Sequence, residues 1–169
     1  MIKSYNYTSV ITKDNHQKAI KKIDDLIRKG EWDKNVPSYQ TKQTLHHYRE
    51  FNIFAKTFIE SCKKYNPQLR DIKKFRMWCY MDHRNNPYKK KESDMWHHHI
   101  TKEMKGMDGL SGIYYLRNPR NVSTLFKDGE SPKPLSFIWN IFPSYLVHRS
   151  GEVKSWRKRY TLSADIFYV

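Results

Sequence analysis

Three of the eight histidines in this chain are contiguous: His97, His98 and His99. Side chains alternate along an extended strand, so His97 and His99 share one face and His98 takes the other. Two imidazoles at i and i+2 can hold one metal ion, with a further ligand supplied from elsewhere in the chain. His148 is the candidate, because it closes the apolar run 141–147, which should be buried. Two competing readings stay open, a solvated triplet at 97–99 and a hydrogen-bonded core histidine at 148. His16, His46, His47 and His83 sit among polar residues and are expected at the surface.

Arg159 opens the last extended segment, Arg159-Tyr160-Thr161-Leu162-Ser163-Ala164-Asp165-Ile166, shortly after His148. An arginine at the start of a buried strand needs an anion to offset its desolvation. Its planar fork suits a carboxylate bidentately. Thr161 is two residues on and shares its face, so its hydroxyl could reach the same carboxylate. A structural Asp or Glu partner is the competing reading.

These residues must be positioned by the elements around them. Ala19, Ile20, Ile23, Leu26 and Ile27 recur at helical spacing, with Asp14 as the expected cap and Gly30 past the end. A second helix is expected over 50–65, with Phe51, Phe54, Ala55, Phe58, Ile59 and Cys62 as its apolar stripe and Asn66-Pro67 as its stop. Beyond Pro67 the pattern becomes short and alternating. Strands are expected over 74–82, 95–100, 110–116, 122–126, 135–142, 145–148 and 159–169, with a polar loop at 82–91. Strand after strand with turn punctuation points to a mainly β protein with N-terminal helices, a β-barrel or jelly roll.

The 169 residues suit one domain, 1–169, with helical support to about residue 70 and the β-barrel core from about 71. Aromatic residues make up 15% of the chain, too many for a disordered basic tail. No run approaches the ~18 apolar residues of a membrane span, and no leader is evident. Two cysteines, Cys62 and Cys79, with no Cys-x-x-Cys pair, fit a cytoplasmic setting without a disulfide framework. The net charge of +15 makes weak, nonspecific nucleic-acid contact an expectation.

Three stretches together resemble the 2-oxoglutarate- and iron(II)-dependent oxygenases, whose fold is a double-stranded β-helix, a cupin-like jelly roll. Met95-Trp96-His97-His98-His99 stands in the place of that family's His-x-Asp/Glu motif. Leu110-Ser111-Gly112-Ile113-Tyr114-Tyr115-Leu116 is similar to the strand that follows it in prolyl-hydroxylase-like members. The segment 141–148, followed by Arg159-Tyr160-Thr161, resembles the distal histidine and the co-substrate-binding Arg-x-Ser/Thr. The likeness covers about residues 75–169 and includes small phage and bacterial oxygenases.

The resemblance implies Fe(II) held by His97 and His148. It also implies that Arg159 pairs with the far carboxylate of 2-oxoglutarate, with Tyr115, Ser111 and Thr161 as polar partners. The family's carboxylate ligand is missing at His99. Either His99 is the third ligand, or it supports the site, or Glu103 or Asp108 supplies the carboxylate. The implied activity consumes dioxygen and 2-oxoglutarate, releases succinate and CO2, and hydroxylates a protein side chain or a small molecule. If a phage encodes the chain, the setting is the host cytoplasm.

Two other readings compete. One is a three-His cupin-type dioxygenase that uses no 2-oxoglutarate. The other is a non-catalytic basic β-barrel that stacks bases on exposed Trp and Tyr. Nucleic-acid demethylases of the same family resemble one another in a second arginine downstream of the first, and at the sixth position from Arg159 this chain has Asp165.

Overall fold

The computed structural model describes residues 1–34, 39–86 and 96–169. Helix α1 spans Lys13–Arg28 and buries His16, Ala19, Ile20, Ile23 and Leu26. Its cap is Thr12 rather than the expected Asp14. The Thr12 hydroxyl accepts from Asn15 N–H at 3.1 Å, and Asn15 Oδ1 accepts from Thr12 N–H at 2.9 Å. This reciprocal box satisfies two otherwise orphaned donors and leaves Asp14 in the first turn, where the helix dipole favours its charge. Helix α2 spans Asn52–Tyr65 and starts later than expected, because Arg49–Phe51 form a separate 3-10 turn. Asn66 is extended, as a residue before proline must be, and ends the helix.

Among the described residues, seven strands follow or flank the helices: β1 Lys3–Asn6, β2 Ile72–Asp82, β3 Asp108–Arg117, β4 Leu125–Phe126, β5 Ile138–Pro143, β6 His148–Arg149 and β7 Arg159–Tyr168. Five form an antiparallel sheet in the order β1-β5-β3-β7-β2, and β4 pairs with β6 in a second, smaller sheet. The chain is thus mainly β with N-terminal helices, a jelly roll.

Several expected strands are shorter in the structure. The stretch 122–126 contributes only Leu125–Phe126, and 145–148 reduces to His148–Arg149, because residues 144–145 turn and 146–147 are irregular. In the expected strand at 95–100, His97 alone pairs, through a bridge to His148, and the chain bends at His99. Met95 and residues 87–91 of the expected loop lie outside the described residues.

The large sheet is apolar on its outer face and mixes apolar with buried polar side chains on its inner face. Its outer face packs on the helices. Trp139 on β5 donates its indole N–H to Thr57 Oγ1 at 3.0 Å, and Phe58 lies against Gly112 on β3. A Cβ at Gly112 would stand 2.6 Å from the Phe58 ring and 3.0 Å from Trp139, so the close approach of α2 requires glycine there. His16, expected at the surface, belongs to this layer. It is 8% exposed, its Nε2 lies 2.6 Å from the Tyr114 hydroxyl, and its ring stacks on Phe137 at 4.4 Å. The helix's buried face carries it inward with Ala19, Ile20 and Ile23. The inner face holds a smaller cluster of Ile113, Tyr115, Phe126, Phe142 and Leu146 beneath the second sheet. Among the described residues, no helix is long and apolar enough to cross a membrane.

Candidate metal centre

The strand register lays the inner face out in rows. Arg76, Asp165, Ser111 and Phe142 form one row across β2, β7, β3 and β5. Tyr80, Thr161 and Tyr115 form another, and Asp82 stands opposite Arg159 at the far end. Alternation along each strand therefore directs these side chains to the same face.

His97, His99 and His148 converge over this face. One ring nitrogen from each lies within 4.8 Å of the others, with His97 exposed and His99 and His148 buried. The ring centroids of His97 and His148 are 4.5 Å apart, and those of His99 and His148 are 4.7 Å apart. His97 and His99 stack nearly parallel at 5.4 Å, as two residues on one strand face should. His148 Nδ1 lies 2.9 Å from the Leu146 carbonyl, an acceptor only, so Nδ1 carries the proton and Nε2 keeps its lone pair. Burial, reinforced by the neighbouring imidazoles of His99 and His97, holds His148 well below the usual histidine range and therefore neutral. A neutral imidazole is the form that binds metal.

His99 is anchored from behind. Its Nδ1 lies 2.7 Å from Asp165 Oδ1 and 3.1 Å from Ser111 Oγ. Ser111 donates to Asp165 at 2.6 Å and lies 2.8 Å from Ser144 Oγ. Arg76 closes the network on the other carboxylate oxygen of Asp165 at 2.5 Å. Burial pushes Asp165 up, but His99, Arg76 and the Ser111 hydroxyl outweigh it and hold the carboxyl below its ordinary value. Ser111 thus serves the histidine end of the face. Neither candidate carboxylate joins the cluster: Glu103 faces Lys74 at 3.6 Å on the surface, and Asp108 is exposed at the start of β3.

Arg159 is 1% exposed, and among the described residues no carboxylate lies within ion-pair reach of it. Its Nη1 donates to the Val122 carbonyl at 3.5 Å and its Nη2 to the hydroxyl of Ser150, two residues past His148. Its Nε and the Thr161 hydroxyl are both buried without a partner. Burial lowers the Arg159 pKa, against the opposing pull of Tyr115, Asp82 and Tyr80 around it. Tyr115 lies 2.8 Å from Thr124 Oγ1, and its hydroxyl also accepts from Thr124 N–H at 3.0 Å. A buried guanidinium with its own Nε unpartnered, on the same strand face as the orphaned Thr161 hydroxyl, is an unfinished site for an anion. Three convergent imidazoles match an N-donor iron site, and the arginine matches a carboxylate.

The rim beside the histidines is aromatic and cationic: Arg149 and Lys127 stand 5.1 and 5.7 Å from the Trp96 ring. A second such pair, Arg84 at 5.1 Å from the Trp156 ring, lies just beyond β2.

No family model matches the chain, and no curated protein matches it. Solved structures do resemble it. A prolyl-4-hydroxylase from Pseudomonas putida superposes with a TM-score of 0.65 at 12% identity, covering 98% of this chain and 91% of that one. A viral collagen prolyl hydroxylase from Paramecium bursaria chlorella virus-1, in its 2-oxoglutarate complex, gives 0.63 at 15% identity over 99% and 96%. A non-haem, α-ketoglutarate-dependent epimerase of nogalamycin biosynthesis gives 0.62 at 11% identity over 98% and 76%. At these identities the likeness establishes the fold.

Proposed function

We propose that the protein is an Fe(II)- and 2-oxoglutarate-dependent oxygenase, with His97, His99 and His148 as iron ligands and Arg159 as the anchor of the co-substrate. The observation that carries this reading is the pairing of a three-imidazole cluster with a buried guanidinium that no described carboxylate neutralises. The metal and co-substrate, when bound, supply dioxygen activation and yield succinate and CO2.

The chain's own residues divide the remaining work. The Arg159 fork and the Thr161 hydroxyl receive the far carboxylate, with Tyr115 alongside. Leu146 fixes the His148 tautomer through its carbonyl. The rings of Phe126 and Phe142, each 5.1 Å from that of His148, and of Trp78, 5.2 Å from that of His99, keep water from the buried side.

The primary substrate is a protein side chain or a small molecule. The two prolyl hydroxylases among the similar structures support a hydroxylated peptide as the leading choice. The α-ketoglutarate-dependent epimerase among the similar structures makes epimerisation the alternative outcome to test. The buried free thiols of Cys62 and Cys79 support a reducing, cytoplasmic setting. The experiment is succinate release from 2-oxoglutarate by iron-loaded protein across peptide and small-molecule panels, with mass spectrometry of the products. Substrate-stimulated succinate supports the reading. Substrate oxidation that needs no 2-oxoglutarate favours the three-His dioxygenase instead.

A further inference from the structure

We propose that Asp165 is a positioning residue that orients His99 as a metal ligand and supplies, from behind it, the negative charge that three neutral imidazoles lack. This rests on the reading of His97, His99 and His148 as a metal centre and explains how that centre works without a carboxylate ligand.

The geometry is specific. Asp165 is completely buried on β7, with Arg76 and Ser111 directly across from it on β2 and β3. Its Oδ1 receives the His99 ring at Nδ1 and the Ser111 hydroxyl, and its Oδ2 receives Arg76. An ionised carboxylate only accepts hydrogen bonds, so the proton of a neutral His99 sits on Nδ1 and the lone pair on Nε2. Nε2 lies on the opposite side of the ring from Asp165. The histidine backbone is pinned as well: His99 N–H donates to the Ser144 carbonyl at 3.0 Å, and Arg76 donates to the His99 carbonyl at 3.1 Å.

A carboxylate behind a ligating imidazole makes that ring a better donor and offsets part of the metal's charge. A carboxylate ligand would do the same directly. Here the anion has moved one ring outward, with His99 between it and the metal position. Arg76 tempers that charge and offsets the cost of burying the anion.

The test is Co(II) titration of the full chain, followed by visible absorption, for the unaltered protein, Asp165→Asn, and Arg76→Gln/Asp165→Asn. The asparagine keeps an acceptor for Nδ1–H but loses the charge. The double variant removes both members of the buried pair, so folding survives without an unpaired cation. Circular dichroism confirms that each variant is folded before titration. Both variants should bind Co(II) about 10–100-fold more weakly, with an altered ligand-field spectrum. A purely structural Asp165 would lower thermal stability while leaving affinity and spectrum of the folded protein unchanged, and that result overturns the proposal. Failure of the unaltered protein to bind Co(II) overturns the metal-centre reading itself, so the two failures are distinguishable.

Discussion

His97 and His148 exchange backbone hydrogen bonds in both directions, His97 N–H to His148 O at 3.0 Å and His148 N–H to His97 O at 2.9 Å. This isolated antiparallel bridge is the only described pairing of the triplet segment with a strand, and it joins the two imidazoles at their backbones. Main-chain pairing therefore brings these two imidazoles side by side, with ring centroids 4.5 Å apart. Replacing His148 by Ala keeps the bridge and removes the ligand. We expect metal stoichiometry, measured by elemental analysis after Fe(II) or Co(II) loading, to fall from one per chain to near zero, with circular dichroism unchanged. Retention of metal by folded His148→Ala would refute its role as a ligand.

Part of the acid sensitivity should trace to His16, on the helix-packed face of the sheet, alongside that of buried His148. Burial pushes its pKa down to about 4, below the unfolded histidine's 6.5. The unfolded chain therefore takes up a proton first. The stability contribution is present above pH 6.5 and is lost as pH falls toward 4, amounting to roughly 3 kcal/mol for a shift of this size. Urea unfolding at pH 7.5 and 4.5 measures it. His16→Gln, which keeps a partner for the Tyr114 hydroxyl, should show a shallower loss between the two pH values. An identical slope would place the sensitivity elsewhere.

Gly112→Ala should destabilise the protein by about 1–3 kcal/mol, because the new methyl overpacks against Phe58 and Trp139. Phe58→Leu should recover part of that loss in the Gly112→Ala background, a non-additivity expected of residues in contact. Additive effects in chemical denaturation would contradict the packing account.

The +15 charge and the Trp96–Lys127–Arg149 rim should give weak binding to single-stranded oligonucleotides. Affinity, read by fluorescence anisotropy, should fall steeply with salt and ignore base sequence. Tight binding to one sequence that survives high salt would promote nucleic acid from bystander to substrate.

Both helices were legible because α1 and α2 bury apolar residues at helical period, and the later strands were legible from alternation and turn punctuation. The convergence of His97, His99 and His148 followed from strand alternation and from the apolar run before His148. β1 was not legible: Lys-Ser-Tyr-Asn carries no apolar pattern, and its strand character comes from pairing with β5. The inward turn of His16 had a signal, its spacing to Ile20 and Ile23, which the polar neighbours outweighed. Asp165 registered in the sequence only as the absence of an arginine. Its contact with His99 depends on β7 pairing with β2 and β3, a long-range register that local patterns do not carry.

The most direct measurement is an anaerobic titration of 2-oxoglutarate into Fe(II)-loaded protein, following the visible metal-to-ligand charge-transfer absorption. The account predicts a band that saturates at one 2-oxoglutarate per chain. It also predicts that Arg159→Lys weakens the co-substrate by about 10–100-fold through loss of the bidentate fork, while iron stays bound. Iron-loaded protein that develops no such band, or that binds 2-oxoglutarate equally well with Lys or Ala at position 159, would contradict it.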